Sequence, residues 1–456
     1  ELKELNQNLK INNKQNEIIL NYNDEYLENK FKTLIEKENI SGVISISNCE
    51  IAEDSLESII SNAELSRFKV LYLFFNYLKL YSKSKNPIIY SIIRLNGKFG
   101  INRKKTYSVI PASLGFSVNN MSYSWENVCV KSLDIDSGIS DEKTISLIRD
   151  EFFSIGKNNS FIGVTNKNER FKLKFSRINK NTNYKNKIEE PNHRTVFFVT
   201  GDLFENSFEF IKKVSIDYKS NFIIAGDIKL IEREPKWAKN LIEPSQLKFS
   251  ALNYYRSKYI NIEYSEINKK VSDILITRKI KNNIESIKRQ GSSIIYLNVD
   301  INDYSQVKSF IKYGEEQIGK VNGIFYSLEN GKKYKDEIKN RLSKELDKNI
   351  LGMKNIIKNI DNKLLEYIYF INFINKREEY IFINTVFEKI ICSLSLYYSS
   401  LNAVAITCDM YDESKKDDLN IFNNNDNFQT LNCVEIFSDI LKGEYGNYQN
   451  YILRRS

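Results

Sequence analysis

Residues 192–211 read Asn192-His193-Arg194-Thr195-Val196-Phe197-Phe198-Val199-Thr200-Gly201-Asp202-Leu203-Phe204-Glu205-Asn206-Ser207-Phe208-Glu209-Phe210-Ile211. An apolar run of strand length ends in Thr200-Gly201, and an amphipathic segment follows at once. That is the order of strand, tight turn and helix that opens a dinucleotide-binding unit. Such a turn normally carries several glycines, because the backbone must pass close to a pyrophosphate held at the helix N-terminus. Here only Gly201 is present, and Asp202, Phe204, Glu205 and Ser207 stand where bare backbone is expected. Two of these are carboxylates that would face a phosphate dianion, and one is a bulky ring. The expectation is a nucleotide scaffold from which the phosphate chemistry has been removed.

Downstream, the pattern repeats. Phe222-Ile223-Ile224-Ala225-Gly226-Asp227 reads as a second strand, ending where dinucleotide folds read the adenosine ribose. An NADP site normally has an Arg near this end, so Asp227 would suit a free ribose or nothing. A helix-rich section over 245–290 precedes a strand at 292–300, a helix at 304–319 and a strand at 321–326. A polar helical segment (332–359), a strand (365–373), a helix (380–399), a strand (403–407), a helix (431–442) and Tyr451-Ile452-Leu453 complete a doubly wound parallel sheet.

Upstream, a short strand at 17–20 and a helix at 26–38 come first, then a buried strand, Gly42-Val43-Ile44-Ser45-Ile46-Ser47. A helix over 54–81, a strand over 87–95, a helical turn near 109–116 and a strand over 128–135 follow. The helix over 140–153 has Ser140 and Glu142 at its start, roughly a capping pattern. Segments 161–164 and 170–175 read as a hairpin. No glycine-rich turn occurs, so this half is an α/β layer with no evident nucleotide site. The polar stretch 179–192 is the natural linker, which divides the chain into units 1–190 and 191–456.

The 456 residues leave room for two ordinary domains, and 41% hydrophobic with 12% aromatic residues fits a globular protein. With 17 Gly and 5 Pro, collagen-like and linker-rich classes are excluded. Heavy use of Asn, Ile, Lys and Tyr in every region reads as drift under an AT-rich coding bias. The net charge of +9 could suggest nucleic acid, but Lys is interleaved with Asp and Glu, as on a solvated mixed surface. Five dispersed cysteines without metal spacing point to reduced thiols and a cytoplasmic setting. The single histidine, His193, precedes a strand, so a His-based triad or a multi-His metal site is nearly excluded. No apolar run reaches membrane-span length, and no signal peptide is visible. The start at Glu1 and the end in Arg454-Arg455-Ser456 suggest a piece excised from something longer.

The order of elements and several strings resemble the ketoreductase domain of modular polyketide synthases, of the trans-acyltransferase type. Those domains pair a structural subdomain with a short-chain-dehydrogenase-like catalytic one, and the resemblance covers nearly the whole chain. Arg194 to Gly201 resembles the opening strand of the catalytic half. Glu234-Pro235-Lys236-Trp237 sits where the family has a Pro- and Trp-containing loop. Tyr296 to Asp303 is similar to the third strand, whose Asp, here Asp300, lies beside the adenine. Arg170 to Arg177 resembles the Arg-flanked strand of the structural subdomain, and Gly446 to Leu453 the closing strand.

The resemblance implies two Rossmann-like subdomains, structural then catalytic, and hydride transfer from NADPH to a β-keto thioester on an acyl carrier protein. That reaction needs a Tyr proton donor, a Ser holding the carbonyl, and a Lys that lowers the Tyr pKa. Tyr380 and Asn384 match the family's Tyr and Asn. Asn372, or Ile371 one register away, replaces the Ser; Asn349 replaces the Lys, with Lys348 one residue off and about 100° around the helix. Tyr326-Ser327-Leu328-Glu329 lacks the small residues that make room for the nicotinamide ribose. The glycine turn, the phosphate-reading Arg, the Ser and the Lys have all departed at one surface.

The implied cofactor positions Thr200, Gly201, Asp202, Asp227 and Asp300 are therefore expected to be vestigial, with no bound cofactor and no metal. Each has a plainer reading too: Tyr380 with Asn384 is a common helical pair, Asp300 a strand-end turn residue, and Asp202 with Glu205 favourable charges at a helix start. The expectation is an inactive ketoreductase-like domain kept as a structural part that contacts carrier protein and neighbouring synthase domains, without nucleic-acid or membrane partners. The alternative is an active NADPH-dependent β-ketoacyl reductase with divergent motifs.

Overall fold

The computed structural model describes residues 11–12, 17–18, 26–48, 62–100, 113–115, 117–118, 128–154, 160–172, 190–201, 206–258, 263–328, 338–361, 363–374, 401–409, 434–435, 437–439, 441–442 and 450–453. Two short strands, β1 (Ile11–Asn12) and β2 (Glu17–Ile18), pair antiparallel. Helix α1 (Leu27–Lys37) leads to β3 (Gly42–Asn48), α2 (Asn62–Tyr81), β4 (Ile88–Leu95), β5 (Cys129–Asp136), α3 (Asp141–Phe153), β6 (Ser160–Val164) and β7 (Arg170–Lys172). These strands form a five-stranded sheet in the order β3-β4-β5-β6-β7, parallel except for β7.

The second half contributes β8 (Val196–Gly201), α4 (Asn206–Tyr218), β9 (Asn221–Gly226), α5 (Pro244–Ser257), α6 (Tyr264–Arg289) and β10 (Ile294–Asn298). Then come α7 (Tyr304–Gln317), β11 (Gly323–Ser327), α8 (Ile338–Asn359), β12 (Tyr367–Ile374), β13 (Asn402–Asp409) and β14 (Asn450–Leu453). Their sheet runs β10-β9-β8-β11-β12-β13-β14 and is parallel throughout. This is the doubly wound α/β architecture expected from the apolar runs. β8 lies within it between β9 and β11, and all six of its residues are buried, as a strand covered by helices on both faces requires.

α8 ties the two halves together. Its buried stripe, Leu346, Ile350, Met353, Ile356 and Ile357, belongs to one apolar cluster with Phe198, Ile324, Ile368 and Phe370 of the large sheet and with Phe68, Leu73, Phe75 and Leu78 of α2. The buried Lys69 ammonium of α2 pairs with the Asp347 carboxylate at the edge of this contact. The opposite face of the large sheet packs on α4, α6 and Phe437 in a second cluster.

Three local readings change. Ser140 occupies the cap position of α3, but its side chain makes no capping hydrogen bond. β3 is not buried on both faces, since Ile44 and Ile46 are exposed while Ser45 and Ser47 point inward. The reason is that β3 is an edge strand, a property of the tertiary arrangement rather than of its composition. The helix read over 54–81 is described from Asn62 onward.

A deeply buried carboxyl in the first sheet is structural. Asp134 accepts backbone N–H bonds from Leu95 (3.1 Å) and Phe99 (2.6 Å), pinning the turn after β4. Burial pushes its pKa up to about 6, against the lowering effect of the Phe99, Leu95 and Gly97 N–H groups.

Because one cluster joins both sheets, thermal unfolding should be a single cooperative transition. Leu73 is fully buried on α2, one helical turn from Lys69. Leu73→Ala should lower the stability of the whole transition by about 2–5 kcal/mol. Calorimetry that resolves two transitions, with only one moved by the substitution, would contradict this.

Candidate active-site region

In open α/β sheets, ligands bind outside the carboxyl ends of the strands, where the strand order reverses. Here the reversal falls between β8 and β11, whose last residues, Gly201 and Ser327, are register partners. The expected cofactor residues Thr200 and Gly201 are both at this place. Gly201 has φ +106°, and a side chain there would run into the Ser327 carbonyl, so the strand end requires glycine. The Thr200 hydroxyl is turned into the sheet, donating to the Ala225 carbonyl at 3.0 Å. Asp202, Phe204 and Glu205 lie outside the described residues. Ser207, in the first turn of α4, is fully buried and donates to the Ser327 hydroxyl at 2.8 Å, linking α4 to β11.

At the neighbouring strand end, Asp227 is exposed just past β9. The Tyr296 ring from β10 lies over Gly226, in the space that a side chain at 226 would occupy. Its hydroxyl donates to the Ile228 carbonyl at 2.8 Å. Burial, with the Asp227 carboxylate adding to it, pushes the Tyr296 pKa up to about 12. The Asn298 amide donates to the Gly226 carbonyl at 3.2 Å. Asp300 behaves as a turn residue: its carboxylate accepts from the Asn302 backbone N–H at 3.0 Å, and its own N–H donates to Gln306 at 3.1 Å. Asp303 then caps α7 by accepting from the N–H groups of Ser305 and Gln306.

The loop between β9 and α5 is held by α6. Arg278 grips Glu234 with two 2.7 Å bonds and also donates to the carbonyls of Ala238 and Leu241. This fixes the turn carrying Trp237, whose ring joins a small cluster with Leu247, Ala251, Ile267 and Val271. The loop's role on this geometry is to seat the α5–α6 pair.

Of the candidate relay residues, Asn349 and Asn372 are described, and Tyr380 and Asn384 lie outside the described residues. Asn349 is 3% exposed on α8 and faces the sheet. Tyr326 of β11, fully buried, donates its hydroxyl to Asn349 Oδ1 at 3.0 Å and lies 3.2 Å from the Asn349 carbonyl oxygen. The Tyr326 ring stacks on Phe370 of β12 at 6.2 Å. Two residues on, in the alternation of β12, Asn372 is 1% exposed, and neither its amide nitrogen nor its amide oxygen has a hydrogen-bond partner. Both atoms are sealed from solvent, an arrangement that costs stability. Lys348, the alternative cation, is half-buried and has contacts of its own.

Sequence reasoning pointed to the carboxyl ends of these strands but missed the contacts made there by Tyr326, Tyr296, Ser207 and Ser327. Tyr326 was legible only as a departure from small residues, and its bond to Asn349 spans 23 positions. Neither Tyr296 over Gly226 nor the Ser207–Ser327 pair carries any local sequence signal. Among the described residues no group of His, Cys, Asp and Glu is placed to hold a metal ion. No described helix is long and apolar enough to cross a membrane.

No family model matches the chain. Among curated proteins, it is 22% identical over 156 residues to a polyunsaturated fatty acid synthase polypeptide of Thraustochytrium sp., a match covering 32% of this chain and 6% of that polypeptide. Among solved structures, it is similar to the adenylation, ketoreductase and pseudo-Asub multidomain structure of a keto acid-selecting NRPS module. The TM-score there is 0.58 at 11% identity, covering 93% of this chain and 33% of the other. An N-terminal ketoreductase from the macrolactin assembly line gives 0.57 at 11% identity, covering 96% and 78%. The A-type ketoreductases of a modular polyketide synthase give 0.58 at 8% identity, covering 93% and 79%. The chain thus spans a third of the multidomain structure and a small fraction of the synthase polypeptide. At these identities the likeness is one of fold, and the fold is the one carried by assembly-line ketoreductase domains.

Proposed function

We propose that this chain is a ketoreductase-type domain of a polyketide-synthase-like assembly that no longer binds NADPH or reduces β-ketoacyl groups. It persists as a structural part that contacts carrier protein and neighbouring domains. The observation that carries this reading is the Tyr326–Asn349 pair. The position that resembles the family's relay Lys holds a neutral amide, buried and engaged by a tyrosine hydroxyl. No ammonium stands there to lower the pKa of a catalytic Tyr such as Tyr380.

The residues present do not suit the cofactor that the fold would hold. The sequence following β8 has Asp202 and Glu205 in place of the glycines that would receive a pyrophosphate, and two carboxylates close to a phosphate would cost on the order of several kcal/mol. Asp227 replaces the Arg that would pair a 2′-phosphate, and Tyr296 covers Gly226 beside it. Asn372 stands at the position that resembles the carbonyl-holding Ser, buried and with neither polar atom hydrogen-bonded. These losses support one another, since relay groups act only on a carbonyl already facing a bound nicotinamide.

Isothermal titration of the chain with NADPH should show no saturable binding below about 1 mM, where a micromolar site would hold it with ~8 kcal/mol. Low-micromolar binding with steady NADPH oxidation on a β-ketoacyl thioester would return the domain to the active reductases.

The relay cannot be restored by itself. The double variant Asn349→Lys with Asn372→Ser should give no NADPH consumption with a thioester substrate. Asn349→Lys alone should destabilise the fold by on the order of 3 kcal/mol, because it places an ammonium in the apolar layer against Tyr326. Chemical denaturation and a turnover assay on the same preparations check both statements. Turnover from the double variant would show that the cofactor site was intact.

A further inference from the structure

The net charge of the chain is not spread evenly. Residues 228–290 hold 14 Lys and Arg against 7 Asp and Glu, while the remaining residues hold 53 against 51. Nearly all of the excess therefore falls on the connection from β9 to β10, made of a loop, α5 and α6. On an ordinary solvated helix the signs are interleaved, as in α1 with Glu28, Lys30, Lys32, Glu36 and Lys37. Within the connection, three of the carboxylates already have cations: Glu234 pairs with Arg278, Glu266 with Lys270 and Glu285 with Lys288.

The loop after β9 presents the unbalanced part. Lys229, Arg233, Lys236 and Lys239 are all exposed, and among the described residues none of them makes an ion pair. Lys281 of α6, also exposed, lies beside them and donates to the Ile231 carbonyl at 2.7 Å. The carboxylates left in the loop are Glu232 and Glu243, so five cations stand against two anions. The loop backbone is fixed by α5 and α6. Besides the Arg278 contacts to Glu234, Ala238 and Leu241, the Thr277 hydroxyl accepts from the Ile231 N–H at 3.3 Å, and Ser250 donates to the Trp237 carbonyl at 2.7 Å. Ile242, 77% exposed, follows the last of the loop cations. Like charges held on a fixed backbone lower the ordering cost for a partner of opposite sign.

We propose that this loop is a docking surface for an acidic protein segment, whose carboxylates meet the cations at 229, 233, 236 and 239 while an apolar side chain covers Ile242. Charge sets the occupant. A second copy meeting this surface with its own would bring the same cations and be repelled. A nucleic acid strand would also supply negative charge, but its bases need exposed aromatic planes beside the cations on which to stack. The loop's one aromatic ring, Trp237, is buried in the cluster that anchors the loop, and the exposed apolar side chain beside the cations is aliphatic. Exposed charge pairs are screened by salt and act chiefly on the rate of encounter, so the contact should be salt-sensitive. The inference holds whether or not the chain binds NADPH.

Fluorescence anisotropy tests this with the full chain and a labelled peptide of repeated Glu-Glu-Leu. The peptide should bind at about 50 mM salt and lose about tenfold in affinity at about 200 mM. Lys236→Glu with Lys239→Glu should weaken binding by about tenfold or more and leave the melting temperature unchanged, as expected at exposed positions. Lys308→Glu with Lys312→Glu makes the same charge change at exposed positions of α7, which packs on the opposite face of the large sheet from α6. That control should leave binding within about twofold. Ile242→Ser should weaken the peptide but leave unchanged the binding of a version with Ser in place of Leu. No binding at the lower salt, equal losses from the two charge reversals, or an Ile242→Ser variant that binds both peptides as before would each overturn the proposal. Tighter binding of a single-stranded oligodeoxythymidylate of equal charge would overturn it too.

Discussion

The structure depends on α8 being held from two sides at once. Asp347 reaches out to the buried Lys69 of α2, while Asn349, two positions on and so on nearly the opposite face, reaches in to Tyr326 of β11. Between and beyond them, the apolar stripe from Leu346 to Ile357 fills the layer that joins the two sheets. In the reading proposed above, position 349 of this helix holds a neutral amide bonded to Tyr326. The same helix that the family resemblance would make catalytic is here an element of the core.

That constraint explains why the changes at the strand ends are mutually consistent. A tyrosine at 326 needs a buried acceptor, and Asn349 supplies one; a lysine there could only donate. Ser327 turns to the other face, where Ser207 meets it. Among the described residues, the carboxyl end of β11 is tied to a helix on each face, to α8 through Tyr326 and to α4 through Ser327. The doubly wound scaffold is retained because its stability comes from burial along β8, β11 and β12, which needs no ligand.

Much of this was legible in the sequence. The continuous apolar run of β8 and the breaks at Thr200-Gly201 and Gly226-Asp227 marked the first two strands of a parallel sheet, since a sheet buried on both faces writes itself as unbroken hydrophobic runs. The departures at Asn349 and Asn372 could be read by position. Their consequences could not, because a hydrogen bond across 23 residues or a ring laid over Gly226 leaves no periodic trace. The repeat Ile44-Ser45-Ile46-Ser47 shows the limit plainly. Alternation says that one face differs from the other, but only the sheet order says which face meets water, and here it is the isoleucines.

The central claim is that the strand ends are closed by the protein's own contacts rather than poised for a cofactor. An experimental structure determined with millimolar NADPH present tests it most directly. The account predicts the Tyr326–Asn349 and Ser207–Ser327 hydrogen bonds intact and no nucleotide density above Gly201. A dinucleotide seated between β8 and β11, with Tyr296 moved off Gly226, would contradict it.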